Sequence, residues 1–135
     1  MTDSPIPAEN RAARLTDDAW QRLRAEAAAL EVPWAEAHRQ LIEAAHAEPA
    51  LRALYPFTSH WALRFSTTTG PAMCTVGPVL SAEGDGGFGV GTGIVVANLG
   101  RFATASEAVA CAVRELPPDI GPVVLGAPLR PWGDG

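Results

Sequence analysis

The hydrophobic period changes twice along this chain, and those changes restrict the fold more than any single motif does. Before Pro56 apolar residues recur at helical spacing: Trp20, Leu23, Ala27 and Leu30 form one stripe, and Trp34, Ala37, Leu41, Ile42 and Ala45 form another. After Pro56 the period drops to two, with Trp61, Leu63 and Phe65 alternating against His60, Ala62, Arg64 and Ser66. After Thr104 it turns helical again. Helices, then grouped strands, then a helix predict an α+β domain: two or three N-terminal helices, an antiparallel meander of about four strands, and one C-terminal covering helix.

Punctuating residues place the boundaries. Thr16 reads as an N-cap with Asp17 and Asp18 in the first turn, which leaves residues 1–15, with Pro5 and Pro7, as a flexible tail. Pro33 suits the first position of the second helix, and Pro49 opens a short turn carrying Leu51 and Leu54. Tyr55 to Ser59 reads as a loop joining helix to sheet. Thr69-Gly70-Pro71 is a turn, and a second strand from Met73 to Leu80 is strained by Gly77-Pro78. Glu83-Gly84-Asp85-Gly86-Gly87 is the strongest turn signal, followed by strands at about 88–92 and 94–99 with Asn98-Leu99-Gly100 as the exit. Thr104-Ala105-Ser106-Glu107 is a capping box for a helix that buries Val109, Ala112, Val113 and Leu116 and stops at Pro117-Pro118. Residues 122–126 add a possible edge strand. Residues 16–127 thus make one domain, with 128–135 a second tail.

Charge and composition remove several functions. At 135 residues a single core is expected, and a net charge of −5 disfavours a nucleic-acid partner, which needs clustered cations. All ten basic residues are arginine, so no lysine can form a Schiff base, anchor pyridoxal phosphate or serve a phosphate-binding loop. High-GC coding bias is the preferred account of this absence, ahead of any functional reason. Cys74 and Cys111 lie in apolar runs and read as buried, inert thiols. His38, His46 and His60 lack ligand spacing, although His38 and His46 could share a helix face, so neither a metal nor another cofactor is expected. The first residues have no basic region followed by an apolar core, and no apolar run is of membrane-spanning length, which points to a cytoplasmic protein with no membrane partner.

GDGGFG at 84–89 formally matches a dinucleotide fingerprint, but period two continues through FGVGTG where that motif requires a helix. Gly87, Gly89, Gly91 and Gly93 instead leave one strand face bare, suiting either close packing or a ligand against backbone.

The chemically rich stretch is LYPFTSHWALRFSTTTG, residues 54–70. On an extended strand His60, Ala62, Arg64, Ser66 and Thr68 share a side, with His60 and Arg64 about 13 Å apart. His60 can move a proton, Arg64 can hold a carboxylate or enolate, and Tyr55 can act as an acid or hydrogen-bond anchor. These three are the candidate catalytic residues, and Ser66, Thr68 and Trp61 the candidate substrate contacts. The plainer reading is a solvated sheet face and an aromatic plug at Tyr55.

The block LRALYPFTSHWALRFSTTTG, with LIEAAHAEP before it and LGRFATASEAVACAVRELPP after it, resembles a family of small high-GC bacterial proteins described only as natural product biosynthesis proteins of unknown function. The resemblance covers about residues 34–122 and implies a setting of secondary-metabolite, including antibiotic, biosynthesis, with a small or carrier-bound intermediate as ligand. Two functions fit: a cofactor-independent cyclase, dehydratase or isomerase, or a noncatalytic accessory module that chaperones an intermediate or docks a partner enzyme through the helices bearing Trp20 and Trp34.

Overall fold

The computed structural model describes residues 8–70, 72–83, 87–92 and 95–126. The chain order is α1 (Ala8–Ala29), α2 (Ala35–Ala47), α3 (Pro49–Arg52), β1 (Tyr55–Ser59), β2 (Ala62–Ser66), β3 (Thr75–Ala82), β4 (Phe88–Thr92), β5 (Val95–Phe102) and α4 (Ala105–Arg114). The five strands form one antiparallel sheet in sequence order. The α+β succession expected from the period changes is the one observed.

The helices cover one face of the sheet. Leu63, Phe65, Leu80, Phe88 and Val90 point into a core shared with Trp20 and Leu23 of α1, Leu41 and Ile42 of α2, and Val109 and Ala112 of α4. α1 packs on β1 and α2, whereas α4 lies over β3, β4 and β5. Trp20 is fully buried, and its indole N–H donates to the carbonyls of Arg52 and Leu54 at 3.0 and 3.1 Å. That bond ties the first helix to the start of the sheet. Trp20 is therefore unavailable as a partner-docking residue, which corrects the expected role of the Trp20 helix face.

Three boundaries differ from expectation for physical reasons. α1 already includes Ala8, so residues 8–15 are helix rather than tail, and Thr16 lies inside it. The Thr16 hydroxyl donates to the carbonyl of Ala12 at 2.8 Å, an alternative to capping that a buried helical threonine can adopt. Tyr55 to Ser59 is a strand, not a loop: β1 is an edge strand, where Pro56 forfeits no ladder bond that the sheet needs. This is the strand missing from the expected meander.

β3 absorbs Gly77-Pro78 as an irregularity. Between the pairs Leu63 with Leu80 and Phe65 with Val76, β2 has the single residue Arg64 whereas β3 has Gly77, Pro78 and Val79. Gly77 takes φ +73° there, a conformation open to glycine at little cost. The β2–β3 connection is closed by residues 123–126, of which Val124 bridges Thr68 in parallel. Gly126 lies so close to the Thr69 carbonyl that a Cβ would sit 1.8 Å from its oxygen. Cys74 falls in this connection and is exposed, correcting its expected burial, whereas Cys111, on the inner face of α4, is buried.

The capping box forms as expected: the Thr104 hydroxyl accepts from the Glu107 N–H, and the Glu107 carboxylate accepts from the Thr104 N–H. β4 follows the glycine-rich segment directly, which excludes the dinucleotide reading. Its buried Gly89 and Gly91 stand opposite Ser81 and Val79. The turn residues 84–86, Gly93 and the expected tail at 128–135 lie outside the described residues.

Candidate functional site

His60 and Trp61 are not strand residues. β1 pairs with β2 in a register that sets Ser59 opposite Ala62, so the two form the whole hairpin loop. Both have positive φ, 52° and 66°, as a two-residue turn matched to sheet twist requires. Such turns normally use Asn and Gly. A left-handed Trp is a steric outlier, and outliers of this kind persist where the surrounding structure holds them.

What holds Trp61 is an aromatic cluster at the start of α2. Its ring meets Trp34 edge-on at 5.3 Å and His38 at 5.5 Å, and Trp34 and His38 meet at 5.9 Å. Trp34 and His38 stand one helical turn apart, the spacing that puts both side chains on one face. His38 is buried, while Trp61 remains 46% exposed. An edge-to-face contact adds about 0.5–1.5 kcal/mol beyond area burial, so the two that Trp61 makes are comparable to the roughly 1–2 kcal/mol cost of one left-handed residue.

Beside this cluster is a cavity of about 300 Å³ lined by Trp34, His38, His60, Trp61, Ser81 and Glu83, with Ala62 and Ala82 completing it. His38 Nδ1, Ser81 Oγ and Glu83 Oε1 are the buried side-chain polar atoms without a hydrogen-bond partner among the described residues. All three belong to residues lining this one cavity. Buried polar groups are ordinarily satisfied, so three orphans around a hollow mark a place built to receive hydrogen bonds. Burial holds the His38 imidazole below its ordinary pKa, with Glu26 opposing weakly, so it is neutral at pH 7 and can accept a proton. A second hollow of about 490 Å³ lies on the other flank of Trp61, lined also by Glu26, Leu30, Thr58 and His60.

The structure separates the residues that the strand pattern grouped. His60 and Trp61 reach the cavity. Arg64 faces away from the helices, across from Phe57, and does not line the cavity. The polar side of β2 is thus not roofed by the helical layer, and His60 leaves that side by turning out of the strand.

Tyr55, Ser66 and Thr68 lie at the opposite end of the hairpin. The Tyr55 hydroxyl comes within 3.8 Å of where a Gly70 Cβ would be. Ser66 is fully buried, donating to the Thr68 carbonyl at 2.6 Å and accepting from the N–H groups of Thr68 and Cys74 at 3.0 and 2.9 Å. Thr68 donates to the Ala72 carbonyl at 2.9 Å and accepts from the Cys74 N–H at 2.9 Å. These hydroxyls are occupied in shaping a loop. His38, Ser81 and Glu83 escaped the sequence reading, because only the Trp34/His38 helix spacing is legible without the strand register.

The fold and cavity together define a small α+β protein with a helix-covered five-stranded meander and an aromatic cleft at its first hairpin. A model of a family of unknown function, DUF6193, matches residues 14–127, and the chain belongs to that family. No curated protein and no solved structure matches it. Among the described residues no helix is long and apolar enough to cross a membrane, and no group of His, Cys, Asp and Glu could hold a metal ion.

Proposed function

We propose that this protein binds a small-molecule intermediate of a natural product pathway in the His38/Trp61 cleft and carries out a cofactor-independent proton-transfer reaction on it, of the isomerase, dehydratase or cyclase type. The observation that carries this reading is the convergence, on one aromatic-lined cavity, of three buried polar atoms that have no hydrogen-bond partner among the described residues. Neutral His38 is the proton acceptor. The Ser81 hydroxyl donates a hydrogen bond to substrate oxygen, and Trp34 and Trp61 orient the substrate's apolar body. His60 stands at the rim, able to pass the proton to solvent.

The test is a metabolite profile of the producing strain with the chromosomal gene replaced by His38→Gln or Ser81→Ala. Loss of the end product with accumulation of a precursor is expected for both, and no change for Tyr55→Phe or Arg64→Gln. An unchanged profile in both cleft variants sinks the enzymatic reading. The exposure of Trp61 favours one alternative, an accessory module that docks a partner enzyme through the hairpin tip. That alternative predicts loss of product in Trp61→Ala alone.

A further inference from the structure

The chemistry of the cleft wall points to one kind of ligand. Glu83 is the sole formally charged group lining the 300 Å³ cavity among the described residues, and Glu26 is the sole one lining the hollow across Trp61. Among the described residues no arginine lines either space, and the sequence has no lysine. The Glu83 side chain is 20% exposed, and its buried Oε1 is ion-paired to Arg101 Nε at 3.7 Å, beyond hydrogen-bond reach. Ser81 Oγ and a neutral His38 nitrogen can both accept hydrogen bonds, and Ser81 and His38 are only 8% and 3% exposed. Two indoles, the best of the aromatic rings for holding a cation over their faces, complete the wall.

We infer that the cleft receives an organic ammonium, a protonated primary or secondary amine on an apolar body, with the nitrogen directed to Glu83 and Ser81 and the body against Trp34 and Trp61. This rests on the small-molecule reading of the same cleft and adds the charge class of what it binds. An ammonium has the donors that the orphaned acceptors lack, and it replaces Arg101 as the nearest cation to Glu83. A carboxylate or phosphate ligand would meet Glu83 with no arginine among the described lining residues to balance it.

The test uses two probes of similar shape and opposite charge, phenethylamine and 3-phenylpropionate, with phenethyl alcohol as the neutral control. The full-length protein is titrated by two-dimensional NMR of the four indole N–H groups, assigned with Trp→Phe variants. The Trp34 and Trp61 signals should move with phenethylamine at concentrations about tenfold below those needed for the acid, a ratio worth one cation–aromatic contact. The Trp20 signal, bonded to two carbonyls in the core, should stay still.

Glu83→Gln and Arg101→Gln make the test sharper. Both remove the same ion pair, so a purely structural pair predicts changes of the same sign. An ammonium site predicts opposite signs: Glu83→Gln erases the preference for the amine, whereas Arg101→Gln strengthens amine binding by removing its competitor. Equal binding of all three probes, tighter binding of the acid, or same-sign effects of the two variants would overturn the inference. Preferential binding of the acid at Trp34 and Trp61 would leave the small-molecule reading standing and reject only the charge class. That broader reading stands or falls on the metabolite profile.

Discussion

The two ends of the first hairpin have similar residue chemistry and opposite physical states. At the Tyr55 end, Ser66 and Thr68 are polar, largely shielded and paired: each hydroxyl both donates and accepts, and together they hold the backbone at Thr68, Ala72 and Cys74. At the His60 end, His38, Ser81 and Glu83 are also shielded and polar, yet each has an atom with no hydrogen-bond partner among the described residues. A fold stabilises itself by satisfying buried groups, so a satisfied cluster is explained by the fold alone. An unsatisfied cluster beside a cavity is not. Richness in polar side chains therefore does not distinguish the two ends of this stretch, whereas hydrogen-bond state does.

The largest test of this contrast replaces an aromatic at each kind of position. Phe65→Ala empties a fully buried core site beside Trp20 and should cost about 3–5 kcal/mol in denaturant unfolding. Trp61→Ala, at a ring 46% exposed, should cost only roughly 1–2 kcal/mol through its two edge contacts while abolishing cleft binding. Equal losses would mean that Trp61 is core and the cleft an accident of packing.

The second contrast uses one chemical change at both ends. Ser66→Ala strands the Thr68 N–H, leaves the Cys74 N–H only its bond to the Thr68 hydroxyl, and should destabilise by about 1–3 kcal/mol. Ser81→Ala removes a hydroxyl that has no hydrogen-bond partner among the described residues, and thermal unfolding should show a change within about 0.5 kcal/mol or a gain. A loss at Ser81 matching that at Ser66 would show that its hydroxyl is already bonded in solution.

Acid provides a third. Burial depresses the His38 pKa, so below the ordinary imidazole value of about 6.5 the unfolded chain takes up a proton that the folded one refuses. The stability involved is fully present above that value and declines as pH falls toward the folded pKa. His46, held down by burial and then by Arg24 and Arg52, acts in the same direction. Unfolding midpoints should fall from pH 7 toward pH 5, and fall less steeply in His38→Gln. An unaltered slope in that variant would place His38 in water.

The smallest expected effect is at the turn itself. His60→Asn puts a residue tolerant of positive φ where the loop demands one and should stabilise by about 0.5 kcal/mol without moving the Trp34 and Trp61 signals. Destabilisation would show that the His60 side chain contributes to holding the turn.

Local physics was legible in the sequence wherever one residue's conformation decides the outcome. The period changes located the helices and most strands, the Thr104/Glu107 box located α4, and the continued alternation after GDGGFG excluded a nucleotide loop, because periodicity and capping act over three or four residues. The strand at Tyr55 was hidden, since Pro56 is allowed only at a sheet edge and edges are assigned by topology. The same applies to His60 and Trp61. Their alternation with Leu63 and Phe65 mimics a continuing strand, and only pairing of Ser59 with Ala62 turns them into a loop. The cleft lay further out of reach: Trp34 and His38 come from a helix, Trp61 from a hairpin, and Ser81 and Glu83 from near the end of β3. Sequence determined which of these side chains are polar or aromatic. Tertiary structure alone decided which of them lack partners, because a missing hydrogen bond is a property of everything packed around an atom and not of the residue that carries it.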